Sequence, residues 1–239
     1  MQLKNVVPWG RSLQEYREMF GLCRSDFDKT ILGCSDGPAS FNAELRNKGF
    51  RCISVDPLYR LPAETIRQRI REVYPVVLEQ LIRDAAQFLW TSHETPEELA
   101  RYRMAAMDMF LNDYQQGKQE GRYLCGCLPD LPFADASFAL ALCSHYLFLY
   151  SSQKDLAHHI EAMVELCRVA EEVRVYPLVT LAGTPSPHLT PVTAALHDRG
   201  ITTQIVPVPY RFQRGATEML VARTQSQATG RTGRTKHGS

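Results

Sequence analysis

The sequence predicts an α/β fold: a doubly wound, mostly parallel seven-stranded sheet with an antiparallel edge strand and a helical insertion after the second strand. Three observations predict it. Apolar strand-like runs alternate with segments of helical periodicity. One stretch, from Pro57 to about Gly117, is far too long for an α/β connection and is rich in helical patterns. The last two strand signals follow one another with only a turn near Arg214-Gly215 between them. With 239 residues and 44% apolar content, the chain can bury one sizeable core but falls short of two ordinary domains.

Each element has a local reason. Ser12 and Glu15 have the spacing of a capping box, with Tyr16, Met19 and Phe20 at helical intervals behind them. Strands are expected at 29–34 and 51–56, with Ile53 and Val55 inward, and a helix over 39–48 that Gly49 ends. In the insertion, Ile66, Ile70 and Val73 mark one helix, which Pro75 is expected to restart, and Val77, Leu81, Ala85 and Phe88 supply the next apolar face. Thr95-Pro96-Glu97-Glu98 starts another helix, carried on by Leu99, Tyr102, Met107, Phe110 and Tyr114. Strands then follow at 123–125 and 138–143, a helix at 154–168 and a strand at 173–181. Thr190-Pro191 opens a helix that Gly200 closes, before strands at 203–208 and 219–222. The expected organisation is an N-terminal helical arm (1–28), a Rossmann-like domain (29–224) containing the insertion (57–117), and a disordered tail (225–239).

Charge narrows the function classes. Lys+Arg total 27 against 26 Asp+Glu, a net +1 that provides no global field for gathering nucleic acid or an anionic membrane. Arg231, Arg234 and Lys236 in the tail read as a solvated end. The seven cysteines are odd in number, scattered and mostly within apolar runs, as expected of buried thiols in a reducing compartment. Cys125 and Cys127 form a C-x-C pair that no second pair completes, and His158-His159 reads as a surface or partly buried pair on an amphipathic helix, so no metal site is expected. MQLKNVVPWGRS lacks a long apolar core behind a basic start, and no 18 consecutive apolar residues occur, so a soluble, cytoplasmic protein is expected.

The chemistry-bearing segment is ILGCSDGPASF, residues 31–41, where a strand turns through small residues into a helix. Gly33, Cys34, Ser35, Asp36 and Gly37 let a ligand lie against bare backbone, with Pro38 leaving nearby amides to receive an anionic group. The glycine spacing departs from G-x-G-x-x-G, which disfavours a nicotinamide cofactor. Asp56 closes the second strand about 20 residues later, either accepting from both ribose hydroxyls of an adenosine or forming a turn before Pro57.

Together with ISVDPLY and LPDLPFADASFALALCSHYLFLY, this segment resembles the class I S-adenosylmethionine-dependent methyltransferase family over roughly Thr30 to Ala222, the insertion aside. The resemblance implies that S-adenosylmethionine rests on Gly33, Cys34, Ser35, Asp36, Gly37, Asp56, Pro57, Leu128 and Ser144, leaving S-adenosylhomocysteine as product. Leu131-Pro132-Phe133 would lead into the fourth strand, placing Ser144, His145 and Tyr146 at its tip beside the methyl group. Ser144 and His145 are then the catalytic candidates, His145 serving either as general base or as a residue packed on the cofactor. The family often carries an acid at the end of strand one, where this chain has Gly33. A small-molecule methyl acceptor is expected, with no membrane partner and no nucleic acid; a non-catalytic module binding an adenosyl ligand or a protein is the alternative. The insertion would lie over the carboxyl ends of the strands as a lid, with Tyr102, Arg103 and Asp108 read as solvated or structural. Trp9-Gly10-Arg11 reads as an exposed arm or as an arginine clamp for a carboxylate of cofactor or substrate.

Overall fold

A computed structural model describes residues 9–90 and 93–224; the expected tail, with Arg231, Arg234 and Lys236, lies outside them. Seven strands form one sheet: β1 (Ile31–Cys34), β2 (Cys52–Val55), β3 (Tyr123–Leu124), β4 (Phe138–Ser144), β5 (Ala170–Tyr176), β6 (Thr202–Pro207) and β7 (Glu218–Arg223). Their spatial order is β3-β2-β1-β4-β5-β7-β6. The first five are mutually parallel, and β7 runs antiparallel to both β5 and β6. This is the doubly wound, Rossmann-like arrangement that the sequence predicts. The strand order reverses between β1 and β4, and parallel sheets bind ligands beyond the carboxyl ends at such a switch point.

Alternate residues of the strands feed two cores, as the two-residue side-chain period requires. Leu32, Cys34, Ala141 and Cys143 point to one face, covered by α5 (Leu156–Val169) and α6 (Leu189–His197). Ile31, Leu140, Leu142 and Val221 point to the other, covered by α1 (Leu13–Phe20) and α2 (Phe41–Asn47). Both faces being covered, β1 is buried at every position and needs no polar alternation. In β2 the expected split is blurred: Val55 is buried but so are Cys52 and Ser54, and Ile53 is only partly covered.

Capping follows the sequence closely. Ser12 Oγ accepts from the Glu15 amide while Glu15 closes the capping box, and Thr95 Oγ1 accepts from the Glu98 amide at the head of α4 (Pro96–Gln119). Pro75 departs from expectation, because α3 (Ala63–Arg83) runs through it. A proline removes one intrahelical bond and crowds the preceding turn. Here Pro75 is exposed, while Ile66, Ile70, Val77 and Leu81 anchor both halves of the helix, so packing outweighs the local defect. Ala85 leaves the helix for a short 3-10 turn.

The β6–β7 connection is a ten-residue loop rather than a tight turn, and it docks Phe212 on Phe88 with ring centroids 4.6 Å apart. Of the cysteines, Cys34, Cys52, Cys143 and Cys167 are buried as expected, whereas Cys23, Cys125 and Cys127 are exposed. No helix among the described residues is long and apolar enough to cross a membrane.

Candidate active site

A crevice of about 360 Å³ opens at the switch point, between the turn after β1 and the tip of β4. Ser35, Asp36, Gly37, Asp56, Pro57, Ser144 and His145 all line it, as the sequence places them. Asp56 faces the crevice and is not turned away. The turn is tight: Ser35 (φ 58°) and Gly37 (φ 55°) both adopt left-handed backbone, which a serine accepts at some cost. A Cβ added at Gly37 would meet nothing within 4 Å, so the backbone there borders open space.

Three expected cofactor residues lie elsewhere. Cys34 is buried beneath the turn against Cys143, its register partner on β4, and that neighbour together with burial pushes its thiol pKa up. Leu128 packs into the core with Leu131 and Val55, leaving Cys127 on the wall. The cause is local: Gly126 lies so close to Val55 that a Cβ there would sit 2.7 Å from its Cγ2, and the turn bonded from the Asp130 amide to the Cys127 carbonyl then rolls Leu128 inward. Gly33 is roofed by a carboxylate. A Cβ on Gly33 would stand 1.9 Å from Asp36 Oδ2, so the Asp36 carboxylate occupies the space that a side chain at position 33 would need.

Among the described residues Asp36 has no cationic partner. Tyr16 Oη donates to Oδ1 and Ser54 Oγ donates to Oδ2, each at 2.7 Å. Burial, at 8% exposure, raises its pKa to about 7, and neighbouring Asp56 adds to the rise. Asp56 ties the turn to the second strand: Oδ2 accepts from the Gly37 amide at 2.9 Å and Oδ1 from the Leu58 amide at 2.7 Å. Burial outweighs these bonds and raises its pKa to about 6. Each oxygen keeps a second lone pair for a ligand hydroxyl. Asp56 is thus a turn former before Pro57, and it also lines the crevice.

The amides expected to receive an anion are partly spent. The Ser35 amide donates to the Val55 carbonyl, Gly37 to Asp56, and Ser40 to the Arg11 carbonyl at 3.0 Å. The last bond comes from the N-terminal strap, which lies directly on the turn: a Cβ on Gly10 would be 2.0 Å from the Pro38 carbonyl oxygen. Trp9 and Arg11 therefore line the crevice rather than waving in solvent.

What clamps the strap is a buried ion pair that the sequence left unassigned. Arg103, at 0% exposure, gives Nη1 to Glu15 Oε2 at 2.7 Å and Nη2 to Glu15 Oε1 at 2.6 Å. Tyr210 donates to the same Glu15, Arg103 also donates to Tyr210, and Tyr102 shares a 2.7 Å bond with Ser12. Helix α1, helix α4 and the β6–β7 loop thus meet on one carboxylate. Asp108 is exposed and takes no part.

At the tip of β4, His145 also has left-handed backbone (φ 53°), with its amide donating to the Tyr176 carbonyl. Its Nδ1 is 2.9 Å from Ser144 Oγ. Burial, then the positive charges of Arg11 and Arg103, hold its pKa well below the usual value, so the imidazole is neutral at neutral pH. Non-glycine residues held at positive φ concentrate at functional sites, and Ser35 and His145 face each other's crevice. Tyr16, Leu58, Arg60, Arg69, Val77, Leu149 and Leu181 also line it without having been singled out; α3 periodicity alone does not say which of its faces meets a ligand.

No family model matches the chain. A protein of Methanocaldococcus jannaschii, "Uncharacterized protein MJ0045", is 30% identical over 225 residues, covering 93% of this chain and 98% of that one. Among solved structures, a SAM-dependent methyltransferase from Aquifex aeolicus superposes with a TM-score of 0.42 at 13% identity, covering 87% of this chain and 90% of its own. A putative S-adenosyl-L-methionine-dependent methyltransferase from Methanococcus maripaludis gives 0.46 at 9% identity, with coverage of 91% and 85%.

Proposed function

We propose that this chain, which belongs to the same family as the Methanocaldococcus jannaschii protein MJ0045, is an S-adenosylmethionine-dependent methyltransferase acting on a small molecule. One observation carries the reading: an open crevice at the switch point is walled by a left-handed turn, by Asp56 at the end of the second strand, and by His145 at the tip of β4. These residues fit the cofactor. Asp56 offers lone pairs to ribose hydroxyls, and the bare Gly37 backbone accommodates the amino-acid end. S-adenosylmethionine held there would supply an electrophilic methyl group. The protein's own work is then alignment and exclusion of water.

His145, a neutral imidazole on the crevice wall with Nδ1 2.9 Å from Ser144 Oγ, is suited to orient the acceptor by hydrogen bonding. The residues of 57–117 serve as a lid through α3, which contributes Arg69 and Val77 to the wall, while α4 packs alongside α2 and β3.

Calorimetric titration with S-adenosylmethionine and S-adenosylhomocysteine tests the reading. Binding of both is expected, with Asp56→Ala weakening them at least about ten-fold through loss of charge-assisted hydrogen bonds. Absence of heat and of thermal stabilisation at millimolar ligand would remove the proposal.

A further inference from the structure

The wall of the crevice carries three guanidinium groups, Arg11, Arg60 and Arg69. Among the described residues none of them has an acidic partner. Arg11 is the most constrained. Its Nη1 donates to the Trp9 carbonyl at 3.1 Å, and its Nε is buried with no partner. The nearby carboxylate of Glu15 is already gripped through both oxygens by Arg103. Burial and the adjacent Arg103 charge lower the Arg11 pKa to about 10, which leaves it cationic at neutral pH but without the anion that such a position calls for.

The two acids of the crevice do not answer this charge. Asp36 is held by two hydroxyls and Asp56 by two amides. S-adenosylmethionine brings one carboxylate against an ammonium and a sulfonium, a net positive charge. Filling the cofactor site therefore leaves the crevice more positive than before. The remaining wall around His145 is apolar or aromatic, through Leu149, Tyr150 and Leu181.

We propose, on the methyltransferase reading above, that the methyl acceptor is a small oxyanion, a carboxylate or phosphate on an apolar or aromatic body, seated on Arg11 beside His145 with Arg60 and Arg69 at the entrance. Arg11 provides directional donors on the buried side, and the two exposed arginines raise the local concentration of anions. Burial, and then the charges of Arg11 and Arg103, keep His145 neutral, so it borders the anion site without a charge of its own.

The test uses the full chain saturated with S-adenosylhomocysteine and titrated with benzoate and phenyl phosphate, against the uncharged benzamide and benzyl alcohol. The anions should bind at least ten-fold more tightly than their neutral counterparts. Arg11→Gln should abolish that preference while changing the affinity for S-adenosylhomocysteine by less than three-fold, Arg11→Lys should restore part of it, and Arg69→Gln should weaken it several-fold. Equal binding of charged and neutral probes, or no binding of either, overturns the proposal. So does an Arg11→Gln variant that loses S-adenosylhomocysteine yet keeps benzoate, because the guanidinium would then belong to the cofactor's carboxylate. Failure of S-adenosylhomocysteine to bind the wild-type chain sinks the methyltransferase reading instead, and benzoate titrated into the free protein with and without Arg11 then judges the anion site alone.

Discussion

Arg103 and Arg11 lie side by side and illustrate opposite uses of a buried guanidinium. Arg103 is sealed from water and paired with both oxygens of Glu15 and the Tyr210 hydroxyl, although its Nε, like that of Arg11, is buried without a hydrogen-bond partner. Arg11, on the strap that this ion pair fastens, has one backbone carbonyl and a buried Nε that nothing meets. The ion-paired arginine belongs to the scaffold, and the one without an acidic partner lines the crevice. A half-buried cation left without a counter-charge is costly, and an anionic ligand would offset that cost.

Breaking the scaffold should have the largest effect. Arg103→Met strands the Glu15 carboxylate and is expected to cost about 3–5 kcal/mol, the range for removing one member of a buried pair. Chemical denaturation measures it; an unchanged midpoint would mean that the pair contributes nothing. Next comes the roof over Gly33. Gly33→Ala forces a methyl group into Asp36 and should cost roughly 1–3 kcal/mol, the usual range for overpacking, with Asp36→Ser in the same chain recovering most of the loss. If the two changes merely add, the carboxylate does not occupy that space.

A smaller effect separates the uncompensated carboxyl from the compensated ones. Because folding raises the Asp36 pKa to about 7, the folded state favours its protonated form. The stability tied to this group is fully present below the unfolded value near 3.8 and is lost as pH rises through about 7. Asp36→Asn should therefore be more stable than wild type at pH 8, by on the order of 2 kcal/mol, with the advantage shrinking toward pH 4. Denaturation at a series of pH values shows whether that slope disappears in the variant. The smallest change closes the comparison of the two arginines. Arg11→Gln removes a half-buried cation without an ion-pair partner and should leave the free protein within about 1 kcal/mol of wild type, or slightly stabilise it. A loss as large as that of Arg103→Met would erase the distinction between them.

Much of this was readable from residue patterns. The capping box at Ser12 and Glu15, the strand–turn–helix of residues 31–41 and the acid closing β2 are local signals, carried by neighbours within a few positions, whereas the Leu-Pro-Phe turn before β4 is implied by the family resemblance. Pro75 misled, because local propensity marks a break that tertiary packing on Ile70 and Val77 overrides. Leu128 misled differently: sequence position put it beside a ligand, but the close approach of Gly126 to Val55 turned it into the core.

By itself the sequence determined the architecture and the segments that border the crevice, since hydrophobic period, caps and small-residue turns act over short stretches of chain. Only the tertiary structure decided that Asp36 would take the space over Gly33, that Arg103 would claim Glu15 from a distance of 88 residues, and that Arg11 would be left over beside His145. Which charges are paired depends on which side chains burial brings together, and burial is a property of the whole packed chain.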